Sequence, residues 1–310
     1  MQADASSSRD SKDHHWIKLV INAIKAVGTE QVRRNNTLFS TLDKIQSLLT
    51  DTSAMARGRK EFLRLVHDKV ERRLEQGSDA RPDFMSSIIK NQEVAEKALT
   101  RDELDSNAML FLVAGSETTA TTLTGVTYLL LSHPEKYQAL VREVRGKFDS
   151  MEQITIEEVN KMEYMIACLQ EGLRYYPPVP TGFPRVVPPG GDYISGHYVP
   201  GGTSVYVAQH ASNHSTRNFT DPEYYVPERW LGGEKYKDDV REVVNPFSFG
   251  PRNCLGKNLA YAEMRLILAK VLFSFDLELV DKGQEWMEGQ RVYTLWDKPS
   301  LFVRAHPVKR

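Results

Sequence analysis

Cysteine is scarce in this sequence: only Cys168 and Cys254 occur among 310 residues. Two cysteines are too few for a disulfide scaffold, which fits a reducing compartment better than an oxidising one. Neither sign of charge dominates, because 40 basic residues stand against 41 acidic ones. The composition therefore does not point to nucleic acid or to an anionic membrane as a partner, and it is ordinary for a globular protein.

Long apolar runs are also missing. The most apolar stretch, residues 108–114, is far shorter than the ~20 residues that a membrane-spanning helix needs. The first residues are polar and rich in serine, without the apolar core of a secretory signal. We therefore predict a disordered tail over residues 1–15, one domain over residues 16–310, and no membrane anchor.

Several common catalytic motifs do not occur in the sequence. There is no Gly-x-Ser-x-Gly, no His-Glu-x-x-His and no glycine-rich fingerprint for flavin or nicotinamide. The eight histidines form no cluster with metal-ligand spacing. These absences argue against hydrolases and metalloproteases, and any redox chemistry needs electrons from a separate protein.

Apolar periodicity, capping boxes and prolines predict a mainly α-helical chain with a small β region. Thr100 and Glu103 form a capping box, and no proline follows before Pro134, so one helix of ~30 residues is expected between them. A second capping box, Thr155 with Glu158, predicts a helix that ends before Pro177. Other helices are predicted over residues 16–27, 54–76, 134–148 and 257–275, and strands over 193–194, 203–207 and after 276.

The surroundings of Cys254 distinguish it from an ordinary core cysteine, which is the interpretation that we give to Cys168. Gly250 and Gly256 permit tight turns and close approach by a flat ligand, and Arg252 adds a positive charge. A predicted helix begins just after Cys254, and its N-terminal dipole favours a thiolate. Phe247 is expected to screen the sulfur from water. Together these features suit an axial ligand to iron.

This segment resembles the haem-binding signature of the cytochrome P450 family, Phe-x-x-Gly-x-Arg-x-Cys-x-Gly, at every fixed position. The resemblance implies a P450-like fold that lacks its N-terminal section, and haem b as the cofactor. It implies that Cys254 is the proximal ligand and that Arg252 pairs with a haem propionate. Arg185 stands where the family often has a second propionate-binding arginine.

Residues 114–119, Ala-Gly-Ser-Glu-Thr-Thr, resemble the family's oxygen-activation motif on its long central helix. A glycine in a helix interior costs about 1 kcal/mol relative to alanine, so the presence of Gly115 needs a reason. Two reasons are room beside the backbone for a small molecule and close packing against a neighbouring element. By the resemblance, Thr118 hydrogen-bonds dioxygen and Glu117 relays protons. Without the resemblance, packing is the better explanation of this cluster.

Glu171 and Arg174 lie three residues apart on a predicted helix and therefore share a face. Alone, such a pair is no more than an ordinary salt bridge. Residues 227–230, Pro-Glu-Arg-Trp, follow in the order that the family shows. The resemblance implies a buried charge network of Glu171, Arg174 and Arg229 that holds the cysteine loop in place.

The resemblance further implies a monomeric monooxygenase that takes electrons from NADPH through a separate cytochrome reductase. Its substrates would be O2 and a small lipophilic molecule contacted by residues 107–114, 179–183 and 294–296. The loop sequences are most similar to those of fungal family members that act in secondary metabolism. The family usually lies at the endoplasmic reticulum membrane and faces the cytosol, so a chain without an anchor is expected to be cytosolic or peripheral.

Two alternatives stay open from the sequence. The chain resembles a family member without its first section, so it could be a truncated, non-catalytic fragment that binds haem weakly or not at all. A haem-thiolate isomerase or dehydratase that needs no O2 is a second alternative. The intact pair Glu117 and Thr118 argues against the latter.

Overall fold

The computed structural model describes residues 20–22, 24–25, 53–92, 94, 97–283 and 285–309. The predicted tail lies outside these residues. So does most of the helix predicted over residues 16–27, although the described residues 20–22 and 24–25 are helical. In the ranges just given, no helix combines the length and apolarity that a membrane crossing requires.

Helices make up most of the described structure, and four of them follow predicted bounds closely, at Ser53–Glu75, Arg101–Ser132, Pro134–Lys147 and Lys257–Ser274. The α-helices are α1 (Ser53–Glu75), α2 (Phe84–Asn91), α3 (Arg101–Ser132), α4 (Pro134–Lys147), α5 (Ile156–Val159), α6 (Glu163–Tyr175), α7 (Gln209–Asn213) and α8 (Lys257–Ser274). Short 3-10 helices occur at Met151–Gln153, Pro227–Trp230, Glu234–Tyr236, Arg241–Val243 and Gly250–Arg252.

The long helix α3 begins and ends where its sequence signals stand. The Thr100 backbone N–H donates to Glu103 Oε2 over 2.8 Å, and the Glu103 N–H donates to Thr100 Oγ1 over 3.4 Å. This reciprocal pair is the predicted capping box, and 32 residues of helix follow it. Pro134 opens α4 as a first-turn proline, so a single residue separates the two helices.

The helix predicted from Thr155 to the residues before Pro177 is wrong in one respect, because the structure breaks it into α5 and α6. The Thr155 hydroxyl caps α5, but the Glu158 carboxylate bonds Lys161 instead of returning to Thr155. The start of α6 is capped by Glu143 of α4, whose carboxylate accepts the Tyr164 and Met165 N–H groups over 2.9 Å each. A cap supplied from another helix carries no local sequence signal.

The β region consists of four antiparallel two-stranded ladders in the described residues. They pair β1 (Arg185–Val186) with β4 (Ser204–Val205), β2 (Asp192–Ile194) with β3 (His197–Val199), β5 (Phe275–Leu279) with β8 (Val303–Pro307), and β6 (Arg291–Tyr293) with β7 (Leu295–Asp297). Tyr293 pairs with Leu295, so Thr294 alone forms the turn between β6 and β7, with φ at 70°. These strands confirm the small β region that the sequence predicts.

The chain divides into two compact units, Met1–Ser116 and Glu117–Arg310, and the division falls within α3. The first unit has a small apolar core of Val20, Phe62, Val66, Val70 and Leu104. The second has a larger one, to which α3, α4, α6 and α8 contribute Leu130, Leu140, Leu169 and Leu272 among others. Cys168 is fully buried in this second core, as predicted, and burial raises the pKa of its thiol.

Candidate functional site

The loop around Cys254 is a series of tight turns that leads directly into α8. Gly250 adopts a φ of 78°, which favours glycine, and the backbone N–H of Asn253 donates to its carbonyl over 3.0 Å. The Cys254 N–H donates to the Phe247 carbonyl over 2.8 Å. The loop therefore closes on itself through its backbone and presents the thiol at the start of a helix of 18 residues.

The Phe247 ring, which the sequence leads us to expect as a screen for the sulfur, lies on the side of the loop that faces the core of the second unit. It packs against Tyr261 of α8, with ring centroids 4.9 Å apart, and joins the apolar core of the second unit. Cys254 is exposed. The reason is geometric, because the backbone carbonyl of Phe247 faces Cys254 and the ring is drawn into the core.

Exposed apolar side chains flank the thiol on the same loop. Phe249 and Leu255 are 86% and 89% exposed, which is unusual for large apolar residues. A Cβ at Gly256 would lie 3.9 Å from Cys254 Sγ, so the glycine keeps that side of the sulfur open. A thiol with apolar neighbours and an open side has the donor chemistry and the shape that a haem requires.

The two arginines that the resemblance assigns to propionates are both exposed. Arg252 lies in the 3-10 helix of the loop, two residues before the cysteine. Arg185 lies in β1, opposite Val205 of β4. Each guanidinium is thus held on a short regular element and is accessible to a carboxylate.

Residues 114–119, which resemble the family's oxygen-activation motif, lie in the middle of α3, as predicted. Within the part of the chain that the structure describes, a Cβ at Gly115 would meet nothing within 4 Å. Thr118 is half-buried, and its carbonyl accepts the Thr122 hydroxyl over 3.0 Å. The Glu117 carboxylate is paired with the ammonium group of Lys298, a residue that no motif in the sequence marks.

Glu171, Arg174 and Arg229 lie together and are fully buried. The Arg174 guanidinium donates to both carboxylate oxygens of Glu171, over 2.9 and 2.8 Å. Arg229 Nε donates to Glu171 Oε1 over 3.0 Å. One carboxylate thus bridges two guanidinium groups, and we call this arrangement the charge network.

Further groups complete the charge network. Asp239 pairs with Arg229, and the indole N–H of Trp230 donates to Glu171 Oε2 over 2.8 Å. Backbone carbonyls accept further guanidinium protons, at Asn213, Pro222 and Tyr224 for Arg174 and at Thr220 and Asp221 for Arg229. No sequence motif marks Asp239, because its role depends on a fold that brings residues 171 and 239 together.

The short helix α7 connects the charge network to the cysteine loop. Asn213 exchanges hydrogen bonds with Arg174, since its carbonyl accepts from Arg174 Nη1 over 2.8 Å and its Nδ2 donates to the Arg174 carbonyl over 3.0 Å. At the other end of α7, Gln209 Oε1 accepts the Asn245 backbone N–H over 3.0 Å. Asn245 lies two residues before Phe247, so the charge network fixes the entry into the loop.

The segments expected to contact a substrate differ in exposure. Leu110 and Phe111, on residues 107–114, are exposed within the first unit. In the second unit, Phe183 is exposed at the end of residues 179–183. Trp296 is half-buried, and its indole N–H donates to the Pro177 carbonyl over 2.8 Å.

With this geometry established, comparisons with known proteins identify the family. A sequence profile described as Cytochrome P450 matches residues 2–303. The chain belongs to the cytochrome P450 family. It is similar to the heme domain of a cytochrome P450DA in a solved structure, with a TM-score of 0.75 over 98% of this chain and 62% of that one, at 19% identity. This likeness confirms the predicted fold.

Similar curated proteins are fungal and carry the name cytochrome P450 monooxygenase. The monooxygenase lcsI of Purpureocillium lilacinum is 48% identical over 97% of this chain and 57% of its own length. The monooxygenase traB of Penicillium crustosum is 44% identical over 97% of this chain and 59% of its own length. The chain therefore spans somewhat under three-fifths of the length of these relatives.

Proposed function

We propose that this protein is a haem-dependent monooxygenase that inserts one oxygen atom of O2 into a small lipophilic substrate in fungal secondary metabolism. The observation that carries the proposal is the exposed Cys254 thiol at the start of α8, inside a loop with the family signature. Relatives named monooxygenases, at 42–48% identity, support the same reaction class. The reducing equivalents would come from NADPH through a separate reductase.

Residues of the loop fit haem b. Cys254 Sγ, which lies just before α8, would bind the haem iron. Exposed Phe249 and Leu255 would contact the apolar ring. Arg252 and Arg185 would each pair with a propionate, because a guanidinium offers two parallel donors to a carboxylate.

When bound through a thiolate, haem supplies the activation of dioxygen and the cleavage of its O–O bond. The polypeptide provides binding, orientation and proton delivery. In this proposal the Thr118 hydroxyl donates a hydrogen bond to dioxygen, and Glu117 accepts protons from solvent and passes them on. The charge network has no chemical step, and it holds the loop that carries Cys254.

A carbon-monoxide difference spectrum of the reduced, purified chain tests the proposal. A strongly red-shifted Soret band is expected, because ligation by the Cys254 sulfur would donate electron density to the iron. Cys254→Ala should abolish the band, while Cys168→Ala, at the buried cysteine, should retain it. Persistence of the band in Cys254→Ala would assign the ligand to another residue.

The role of Thr118 is tested by the stoichiometry of turnover. With an alkoxycoumarin as lipophilic probe, Thr118→Ala should continue to consume oxygen while product per oxygen falls on the order of tenfold. Thr127→Ala is the control, because the Thr127 hydroxyl bonds the Leu123 carbonyl of its own helix and lies more than two turns from Thr118 on α3. If product and oxygen consumption stay in proportion, Thr118 does not have this role.

The non-catalytic alternative is motivated by the coverage of the relatives, since about two-fifths of their length has no counterpart here. Stoichiometric haem in the purified chain, together with turnover of the probe, would eliminate it. Dependence of that turnover on O2 and NADPH would separate a monooxygenase from an isomerase or dehydratase. Complete absence of haem from folded protein would instead support the non-catalytic alternative.

A further inference from the structure

The partner of Glu117 is contributed by the C-terminal part of the chain, 181 residues away. The side chains of Glu117 and Lys298 are 14% and 16% exposed, so the pair is largely shielded from water. Lys298 Nζ also donates to Thr121 Oγ1 over 2.9 Å, and Thr121 lies one turn beyond Glu117 on α3. The ammonium group therefore holds the carboxylate against one face of α3.

Two tryptophans fix the backbone on either side of Lys298. Two residues before it, the Trp296 indole N–H donates to the Pro177 carbonyl over 2.8 Å. One residue after it, the Pro299 carbonyl accepts the indole N–H of buried Trp286 over 3.0 Å. Lys298 therefore starts from an anchored position, and its side chain loses less freedom than that of a surface lysine when it binds Glu117.

Aromatic packing ties the same segment to α3. The Trp296 ring stacks on Tyr176 with centroids 5.0 Å apart and planes inclined by 13°. Tyr176 lies directly against α3 at Gly125, where a Cβ would come within 2.4 Å of the tyrosine ring. Since Gly125 is one turn beyond Thr121, the position of Lys298 along α3 is set by these contacts.

We propose that Lys298 is a positioning residue for proton delivery, which orients the Glu117 carboxylate beside Thr118. This inference rests on the proposed function. Glu117 would take up a proton from solvent at a carboxylate oxygen and release it toward Thr118, and Lys298 would keep that carboxylate on the correct face of α3. A pair that only attaches the C-terminal segment to α3 would affect stability. It would not change how reduced oxygen divides between hydrogen peroxide and water.

The existence of the pair is tested without turnover. A zero-length carbodiimide joins a carboxylate to an amine in direct contact, and mass spectrometry of the treated full chain should find Glu117 linked to Lys298. Lys298→Arg and Glu117→Gln should each give no linked peptide. Absence of the link in the wild-type chain would overturn the proposal.

The role of the pair is tested by how reduced oxygen divides between hydrogen peroxide and water, with NADPH and purified reductase and no added organic substrate. Lys298→Met should raise peroxide per oxygen consumed several-fold, because a misplaced carboxylate delivers protons less efficiently. Lys298→Arg should restore the wild-type ratio, since a guanidinium also binds a carboxylate. Lys298→Gln replaces Lys298→Met if the latter gives no folded protein.

Lys282→Met is the matched control, because exposed Lys282 pairs with Glu278 on the surface. A wild-type ratio in Lys298→Met or Lys298→Gln, despite the cross-link, would show that the pair is structural only. That result would overturn this inference and leave the monooxygenase proposal intact. A wild-type chain that shows the carbon-monoxide band but consumes no oxygen would overturn both.

Discussion

The charge network and the cysteine loop use arginine in opposite ways. In the charge network, Arg174 and Arg229 are fully buried, and their guanidinium groups donate hydrogen bonds to carboxylates and carbonyls of the same chain. In the loop, Arg252 is exposed, and Phe249 and Leu255 are exposed beside it. α7 joins the two regions through Asn213 and Gln209. The charge network and the cysteine loop are nevertheless distinct in chemistry.

This contrast separates folding from binding within one chain. A buried guanidinium needs hydrogen-bond partners, and each guanidinium nitrogen of Arg174 and Arg229 has at least one, so the charge network contributes to the native structure. Exposed apolar and cationic groups around a thiol are suited to a ligand with an apolar ring and carboxylates. We therefore expect substitutions in the charge network to act on stability and substitutions in the loop to act on haem binding.

Arg229→Met should have the largest effect on stability. It leaves the carboxylates of Glu171 and Asp239 buried with one cation fewer, and breaking a buried pair in this way costs about 3–5 kcal/mol. Urea unfolding followed by circular dichroism measures the loss. Glu163→Gln is the control, at an exposed position on α6. A loss below about 1 kcal/mol for Arg229→Met would contradict the structural role of the charge network.

Gly172→Ala should have the next largest effect, because Gly172 lies between Glu171 and Arg174 on α6. A Cβ there would come within 2.2 Å of Val126 Cγ2 on α3, and overpacking of this kind costs about 1–3 kcal/mol. Gly146→Ala in α4 meets nothing within 4 Å and should be neutral or slightly stabilising. Equal unfolding free energies for the two variants would show that α3 and α6 are not closely packed.

Arg252→Met should have the smallest effect on folding, with a free energy of unfolding equal to that of the wild type. Its effect should appear in haem retention, where loss of a charge-assisted hydrogen bond weakens binding by about tenfold. Haem content is measured by absorbance after gel filtration, with Arg241→Met, in the 3-10 helix of the preceding segment, for comparison. Unchanged haem retention in Arg252→Met would remove the propionate assignment.

The sequence predicts the elements whose signals are local. α3 follows from the capping box of Thr100 and Glu103 and from Pro134, and the cysteine loop follows from its own fixed residues. The spacing of Glu171 and Arg174 indicates a shared helix face. Their complete burial does not follow from spacing, because it depends on packing by the rest of the fold.

Features that depend on distant partners are not predictable in this way. The break between α5 and α6 requires the Glu143 carboxylate from α4. Asp239 reaches Arg229 only after the segment of residues 230–239 has folded back. The pair of Lys298 with Glu117 joins two residues near opposite ends of the second unit in the sequence, 181 residues apart, and no periodicity links them.

Because the two thiols differ in accessibility, the number of thiols that react with an alkylating reagent shows whether a group is bound to Cys254. Cys168 is sealed in the core, where burial raises the pKa of its thiol, whereas Cys254 stands open to reagents. Alkylation of the native chain should therefore modify one sulfur and spare the other. Any group that bonds to Cys254 would reduce the number of modified sulfurs from one to zero. The fraction of chains that carry such a group can therefore be measured without an absorbance spectrum and without turnover.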